Sequence, residues 1–377
     1  MDSDASDPTV GVAGPLRLEA FRGLMLSPRR VGDPASARAL ARPYRDVATR
    51  LGRWEREGHL RHDDSPALYL HEYTADGLTV RGLVGALDVS RHSATPGERV
   101  VLPHEAVKPQ LSEELAGRMA QMGVNPAPIL LVHRGPPEVR AVVHDVVCDQ
   151  PWAEFTDRGE RENRVWAIRD PARLNLLAEH LAGCRTLLAD GHHRYAAYLQ
   201  LQRSRPGTAA DRGLAMLVDQ DDTPLFLGAI HRTLTRTTLA ELAEAVAGIA
   251  VLAPASQKQA MTALGPTTLV LTDGTSWARL ELRIPPRRAA VEALHEDLLP
   301  RLPRAERRLA YHHTVEGTLG HLPPGGLALL MPAPDFDQVD QIVTGHRLLP
   351  EKATSFQPKP SVGVLMRLLH DELGGRS

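Results

Sequence analysis

The stretch LLADGHHRYAAY, residues 187–198, gathers an acid, two imidazoles and a guanidinium around one glycine. The apolar run before Gly191 reads as a buried strand, and the alanines and tyrosines after it recur at helical spacing. A strand that turns into a helix through glycine directs the helix's first amides outward with partial positive charge, which suits an anion. Gly191 admits close approach to the backbone. His192 and His193 can donate ring N–H bonds to phosphate oxygens, and Arg194 can offer a two-pronged fork. Asp190, among these cations, would orient a histidine or hold Mg²⁺. Adjacent histidines point in different directions, and no His-x₃-His or Cys-x₂-Cys partner lies nearby, so the pattern suits phosphate better than a chelated metal. The competing reading is a buried polar knot that only joins strand to helix.

Other residues carry weaker signals. Glu105 follows Pro103 in a loop, where it is either a base or a solvated carboxylate. His231 and Arg232 end a strand and either line a site or sit on the surface. His312-His313 resembles a metal pair but lacks further ligands at useful spacing. Trp54, Trp152 and Trp166 read as packing residues. The two cysteines, Cys148 and Cys184, have neither zinc-type spacing nor the numbers of a disulfide framework.

At 377 residues and 42% hydrophobic content, the chain can form two domains or one elaborated one. A net charge of −2 argues against a general polyanion binder, and acids interrupt the arginine-rich stretch 29–61, so a nucleic-acid partner is not expected. Only four of the 44 basic residues are lysines, and two of these, Lys352 and Lys359, lie close together. The acidic start lacks signal-peptide order and no run is long enough to span a bilayer, so a cytoplasmic protein without membrane contact is expected.

The elements that must position these residues read as mixed α/β. Residues 36–58 carry Leu40, Tyr44, Val47, Leu51 and Trp54 at three-to-four spacing, an amphipathic helix ended by Gly58. PALYLHEY and VRGLVGALDV form a hairpin through TADG. A helix over 112–122 takes Ser112 as its cap, and PAPILLVHR and RAVVHDVVC read as strands. Asp170-Pro171 opens a helix that runs to Gly183. LAMLVDQDDTPLFLGAIHRTL reads as a second hairpin with an acidic tip. Beyond Thr238 the pattern predicts helix 238–248, strands 267–272 and 277–283, helix 287–299, the strand GLALLM, and a helix ending at Gly345.

LADGHHRYAA resembles the phosphate-binding signature of the ParB/sulfiredoxin-type fold, most closely that of the free-serine kinases. The same order of features is present: Leu102-Pro103-His104-Glu105, a helix, PAPILLVHR, then DGHHR, with LPEKATSFQPKP at 349–360 resembling a C-terminal phosphate contact. Across nearly its full length the chain is also similar to the bacterial domain of unknown function 1015 family. YRDVATRLGRWEREGHL, GLVGAL, EFTDRGERENRVWAI, ADGHHRYAA and LPEKATSF carry that likeness. Two features depart from the pattern. The early Pro-Pro-Tyr-Asp segment is replaced by Arg42-Pro43-Tyr44, and Ala106 stands where a basic residue often follows the His-Glu pair.

The resemblance implies a ParB/sulfiredoxin-like nucleotide-binding core over 91–236. An N-terminal helix and hairpin region (1–90) precedes it, and a C-terminal α/β domain (237–377) supplies the KATSF contact. It implies a phosphotransferase using ATP or ADP with Mg²⁺ on a small hydroxyl compound, free L-serine giving O-phospho-L-serine. Glu105 would be the base, and Asp190 would orient groups or bind the metal. Gly191, His192, His193 and Arg194 would hold phosphates with Lys352, Thr354 and Ser355, and His104, His231 and Arg232 would lie on the substrate side. The rival readings are a ParB-like nucleotide switch acting with DNA, and a scaffold that binds nucleotide and leaves it intact.

Overall fold

A computed structural model describes residues 11–41, 47–302 and 308–369. The chain divides into two compact units. The first takes residues up to Pro103, Val107–Leu225 and the chain from Pro358 onward; the second takes His104–Ala106 and Phe226–Gln357. Both mix helices with sheets, as the alternating patterns predict. No helix among the described residues is long and apolar enough to cross a membrane.

The first unit is organised by a nine-stranded sheet. Its path runs Val101–Pro103, Thr186–Asp190, Ile129–His133, Arg212–Asp219, Leu78–Asp88, Leu68–Ala75, Glu162–Ile168 and Ala153–Thr156, with Leu18–Glu19 beside Leu78–Asp88. Central strands covered on both faces must be apolar throughout, and ILLVH at 129–133 is buried at every position. Leu188 and Leu131 are fully buried, each contributing about 1.5–3 kcal/mol through the apolar area removed from water. Leu68–Ala75 and Leu78–Asp88 form the expected hairpin. Helix Pro171–Leu181 starts as predicted, with Asp170 accepting from the Arg173 N–H at 2.9 Å.

Three expectations for this unit are corrected. RAVVHDVVC is not a strand; it lies in helix Pro137–Val146 and its C-terminal turn, opened by proline at the first position. Val139, Val142, Val143 and Val146 are all buried, at the three-to-four spacing of one helical face, which outweighs the β-propensity of valine. Ser112 is not a cap. Lys108 is the N-cap of helix Pro109–Met122, and Ser112 sits buried inside the helix, donating to the Lys108 carbonyl at 3.4 Å. Residues 214–234 are not a hairpin: Arg212–Asp219 is a sheet strand between Ile129–His133 and Leu78–Asp88, while His231–Leu234 pairs with strands of the second unit. In the N-terminal region the helices are Pro34–Ala41 and Val47–Arg56, with Leu40, Leu51 and Trp54 buried as their spacing predicts. Arg42, Pro43 and Tyr44 lie outside the described residues.

The second unit has a six-stranded sheet in the order Ala250–Ala255, Trp277–Leu282, Thr268–Thr272, Leu327–Leu330, His231–Leu234 and Leu309–His312. A separate pair joins Phe226–Gly228 to Ser355–Gln357. Helices Leu239–Ala245 and Gln257–Ala263 both begin with capping boxes, Thr238 with Glu241 and Ser256 with Gln259.

Candidate functional site

In the first unit, strands Val101–Pro103 and Thr186–Asp190 run parallel, with Leu188 opposite Pro103, so both end at the same edge of the sheet. Each strand feeds a helix, Pro109–Met122 and His192–Ser204, and the two helices pack together. Their first turns meet where the Lys108 N–H donates to His193 Nε2 at 3.2 Å. Two helix starts side by side add the positive ends of two dipoles, and carboxyl ends of parallel strands are where α/β sheets bind ligands.

Gly191 is the N-cap of helix His192–Ser204 with φ +91°. A Cβ there would lie 3.0 Å from Ile129 Cγ2 and 3.1 Å from Arg194 Nε and Nη2. The glycine is therefore required by the turn and by Arg194 lying over it. Arg194 Nη1 donates to the Ala127 carbonyl at 3.1 Å and to that of Pro128, and Nη2 donates to Asp190 Oδ2 at 2.8 Å. These bonds brace the turn against the entry to strand Ile129–His133, as the polar-knot reading describes. His192 and His193 are half-buried in the helix's first turn.

Asp190 carries a second cation. Lys359 Nζ donates to Oδ1, opposite the oxygen that Arg194 holds. Burial acts to raise this carboxyl, but Arg194 and Lys359 outweigh it and hold it below the ordinary aspartate range. Sequence reading missed Lys359 here; its only signal was the scarcity of lysine. The resemblance implies magnesium at Asp190, a carboxylate that two cations of this chain engage. Both Asp190 oxygens already accept from cations, and among the described residues no group of three or more His, Cys, Asp or Glu side chains can hold a metal.

The second unit assembles the other group. Glu105 bridges Leu349 in parallel, and the Leu349 N–H donates to the His104 carbonyl at 2.7 Å. His104 is fully buried, and its Nε2 shares a 2.5 Å hydrogen bond with Thr354 Oγ1. Glu105 Oε1 accepts from the Ala353 N–H at 3.1 Å. Burial pushes the Glu105 carboxyl up, against the opposing pull of the Thr354, Lys352 and Ala353 amides and the Lys352 ammonium. The separation of His104 and Glu105 from 349–354 in sequence is thus closed by the fold.

Lys352 has φ +58° and an exposed side chain, and its carbonyl accepts from Arg232 Nη2 at 2.9 Å. Arg232 is buried, with Nη1 on the Ile230 carbonyl and its guanidinium 5.5 Å from the Tyr311 ring centroid. Burial lowers its pKa to about 10, with Tyr311 and Glu105 opposing. His231 is also buried rather than surface-placed. Its Nδ1 accepts from the Met331 N–H at 3.0 Å, and burial, with Arg232 and His312 nearby, lowers its pKa to about 4. Ser355 Oγ shares a 3.2 Å hydrogen bond with His313 Nδ1.

A model of the family described as "Protein of unknown function (DUF1015)" matches residues 24–298, well over half the chain. No curated protein matches the sequence. Among solved structures, C-terminally truncated SbnI from Staphylococcus aureus aligns at 12% identity and TM-score 0.44, covering 73% of this chain and 88% of that one. A conserved hypothetical protein from Pyrococcus furiosus aligns at 15% identity and TM-score 0.41, with coverages of 73% and 94%. A mutant free serine kinase in complex with AMP aligns at 16% identity and TM-score 0.41, with coverages of 71% and 89%.

Proposed function

The chain belongs to the DUF1015 family, and for this member we propose a nucleotide-dependent phosphotransferase acting on a small hydroxyl compound, with free L-serine as acceptor. The observation that carries the reading is Glu105: a carboxylate whose side chain is only 15% exposed, oriented by the Ala353 amide, and whose proton affinity burial raises. A solvated loop glutamate would have none of these properties. A general base needs a fixed direction and a pKa moved toward the working pH. The paired starts of helices Pro109–Met122 and His192–Ser204 support nucleotide phosphates as the anion bound in the first unit.

In the proposed step the serine hydroxyl oxygen attacks the terminal phosphorus of ATP or ADP. The bond from that phosphorus to the bridging oxygen breaks, and the hydroxyl proton passes to Glu105. O-phospho-L-serine leaves with ADP or AMP. Such transfers depend on positioning and charge neutralisation more than on covalent chemistry. His104 holds Thr354 and thereby the backbone beside Glu105, a positioning role.

The test is to incubate purified protein with ATP or ADP, Mg²⁺ and a pool of hydroxyl metabolites including serine, and to read products by mass spectrometry. O-phosphoserine formed by the wild type and lost in Glu105→Gln supports the reading. Nucleotide bound and left intact with every acceptor would replace it with a switch or scaffold.

A further inference from the structure

Resting on the nucleotide reading above, we propose that Lys359 is the cation that binds the distal phosphate of the nucleotide. Arg194, which sequence pattern put forward as the phosphate fork, turns three N–H bonds inward, to two carbonyls and to Asp190. Its side chain is 22% exposed. Lys359 meets the same carboxylate from the other oxygen, and its side chain is 44% exposed. An ammonium carries three N–H donors, and Asp190 takes one, leaving two to turn toward a ligand. Of the two cations on Asp190, Lys359 has the more exposed side chain.

The backbone that carries Lys359 is fixed on both sides. Tyr73, itself fully buried, donates its hydroxyl to the Pro358 carbonyl at 2.6 Å. Arg161 Nη1 donates to the Lys359 carbonyl at 2.5 Å. Ser361 Oγ donates to Asp157 Oδ2 at 2.6 Å, and Pro358 and Pro360 restrict the chain between these anchors. A surface lysine needs no such support. Three side-chain bonds, one to Tyr73 on a strand and two to the 157–161 turn, hold the base of this one while its side chain stays half-exposed, so little backbone freedom is lost when it takes a ligand. The tip lies beside Asp190, the residue that precedes the cap of helix His192–Ser204. Arginine outnumbers lysine tenfold in this chain. A compact ammonium can share itself between one Asp190 oxygen and one phosphate oxygen, whereas a guanidinium favours both oxygens of one partner.

Asp190 then has a defined task. It holds the ammonium in place before the nucleotide arrives and gives up part of that contact as phosphate charge replaces carboxylate charge. The contribution belongs to the phosphate beyond the first, so it distinguishes ADP from AMP.

The experiment titrates ADP and AMP calorimetrically into full-length wild type, Lys359→Gln and Lys359→Arg, with thermal melts alongside. Expected is a loss of about 10-fold or more in ADP affinity for Lys359→Gln, as befits a charge-assisted bond, with AMP affinity held within about two-fold. Lys359→Arg, which keeps the charge but whose fork favours both oxygens of one partner, should retain only part of the preference for ADP. Unchanged ADP affinity in Lys359→Gln, or equal losses for ADP and AMP in both variants, overturns the assignment. Equal losses with an early melt identify a purely structural lysine. Wild type that binds neither nucleotide overturns the nucleotide reading and this inference together, whereas wild-type binding with an unaffected Lys359→Gln overturns this inference alone.

Discussion

His193 Nε2 accepts the backbone N–H of Lys108, a residue 85 positions earlier, and so joins the first turns of two helices. The bond makes a histidine of the DGHHR turn a structural link as well as a candidate ligand. Its neighbour Arg194 goes further, donating to two carbonyls and a carboxylate of its own unit.

Arg194→Ala is therefore expected to destabilise the protein by about 2–3 kcal/mol, the worth of a partly buried charge-assisted set. Lys359→Gln, at a more exposed ion pair, should cost about 0–1 kcal/mol. Urea denaturation of both variants checks the contrast. An Arg194→Ala midpoint equal to wild type would remove the bracing role.

Gly191→Ala is expected to cost about 1–3 kcal/mol, because alanine must adopt φ +91° and push its Cβ against Ile129 and Arg194. The loss should appear in thermal melts without any ligand. A neutral substitution would mean that the turn relaxes freely.

Glu105→Gln should slow phosphoryl transfer on the order of 10²-fold or more while nucleotide affinity changes little. Because burial raises the Glu105 pKa, the acid limb of the wild-type rate profile should lie above the ordinary glutamate range. Stability carries the same sign. A raised folded-state pKa stabilises the fold below the unfolded pKa, and that contribution is lost as pH rises through the folded value. The stability of Glu105→Gln relative to wild type should thus improve from acid to neutral pH. A difference independent of pH would contradict this.

His71, His231 and His295 all have pKa values lowered to about 4, in each case chiefly by burial. Unfolded histidine protonates near 6.5, so the unfolded state binds protons first as pH falls. Stability should decline between about pH 6.5 and 4 and be flat above that window. Melting temperatures measured from pH 8 to 4 test it, and a flat profile would refute it.

The sequence made the DGHHR turn legible because a buried strand, a glycine and a helical face follow one another within twelve residues. Local patterns of that kind need no tertiary information. The valines of RAVVHDVVC suit a strand by propensity, but with Val139 they recur at three-to-four spacing on one buried helical face. The run through 214–234 misled for a different reason: its two apolar segments look like hairpin arms, but each is claimed by other strands. Lys359 was invisible as a partner of Asp190 because 169 residues separate them. The His104–Thr354 bond spans 250 residues and could be anticipated only through family resemblance, never from spacing.

Strand Met366–Leu368 lies between Gly23–Leu26 and Val124–Asn125, with Arg367 opposite both Gly23 and Asn125. During synthesis on the ribosome, the first unit therefore emerges with a gap in one of its sheets. Residues 23–26 must wait for more than 300 further residues before their neighbour exists. The second unit is translated entirely within that interval, so the sheet that holds Gly23–Leu26 closes only after the second unit has been made. Closing so long a loop is slow, and the open edge of Gly23–Leu26 is exposed to mispairing until it closes.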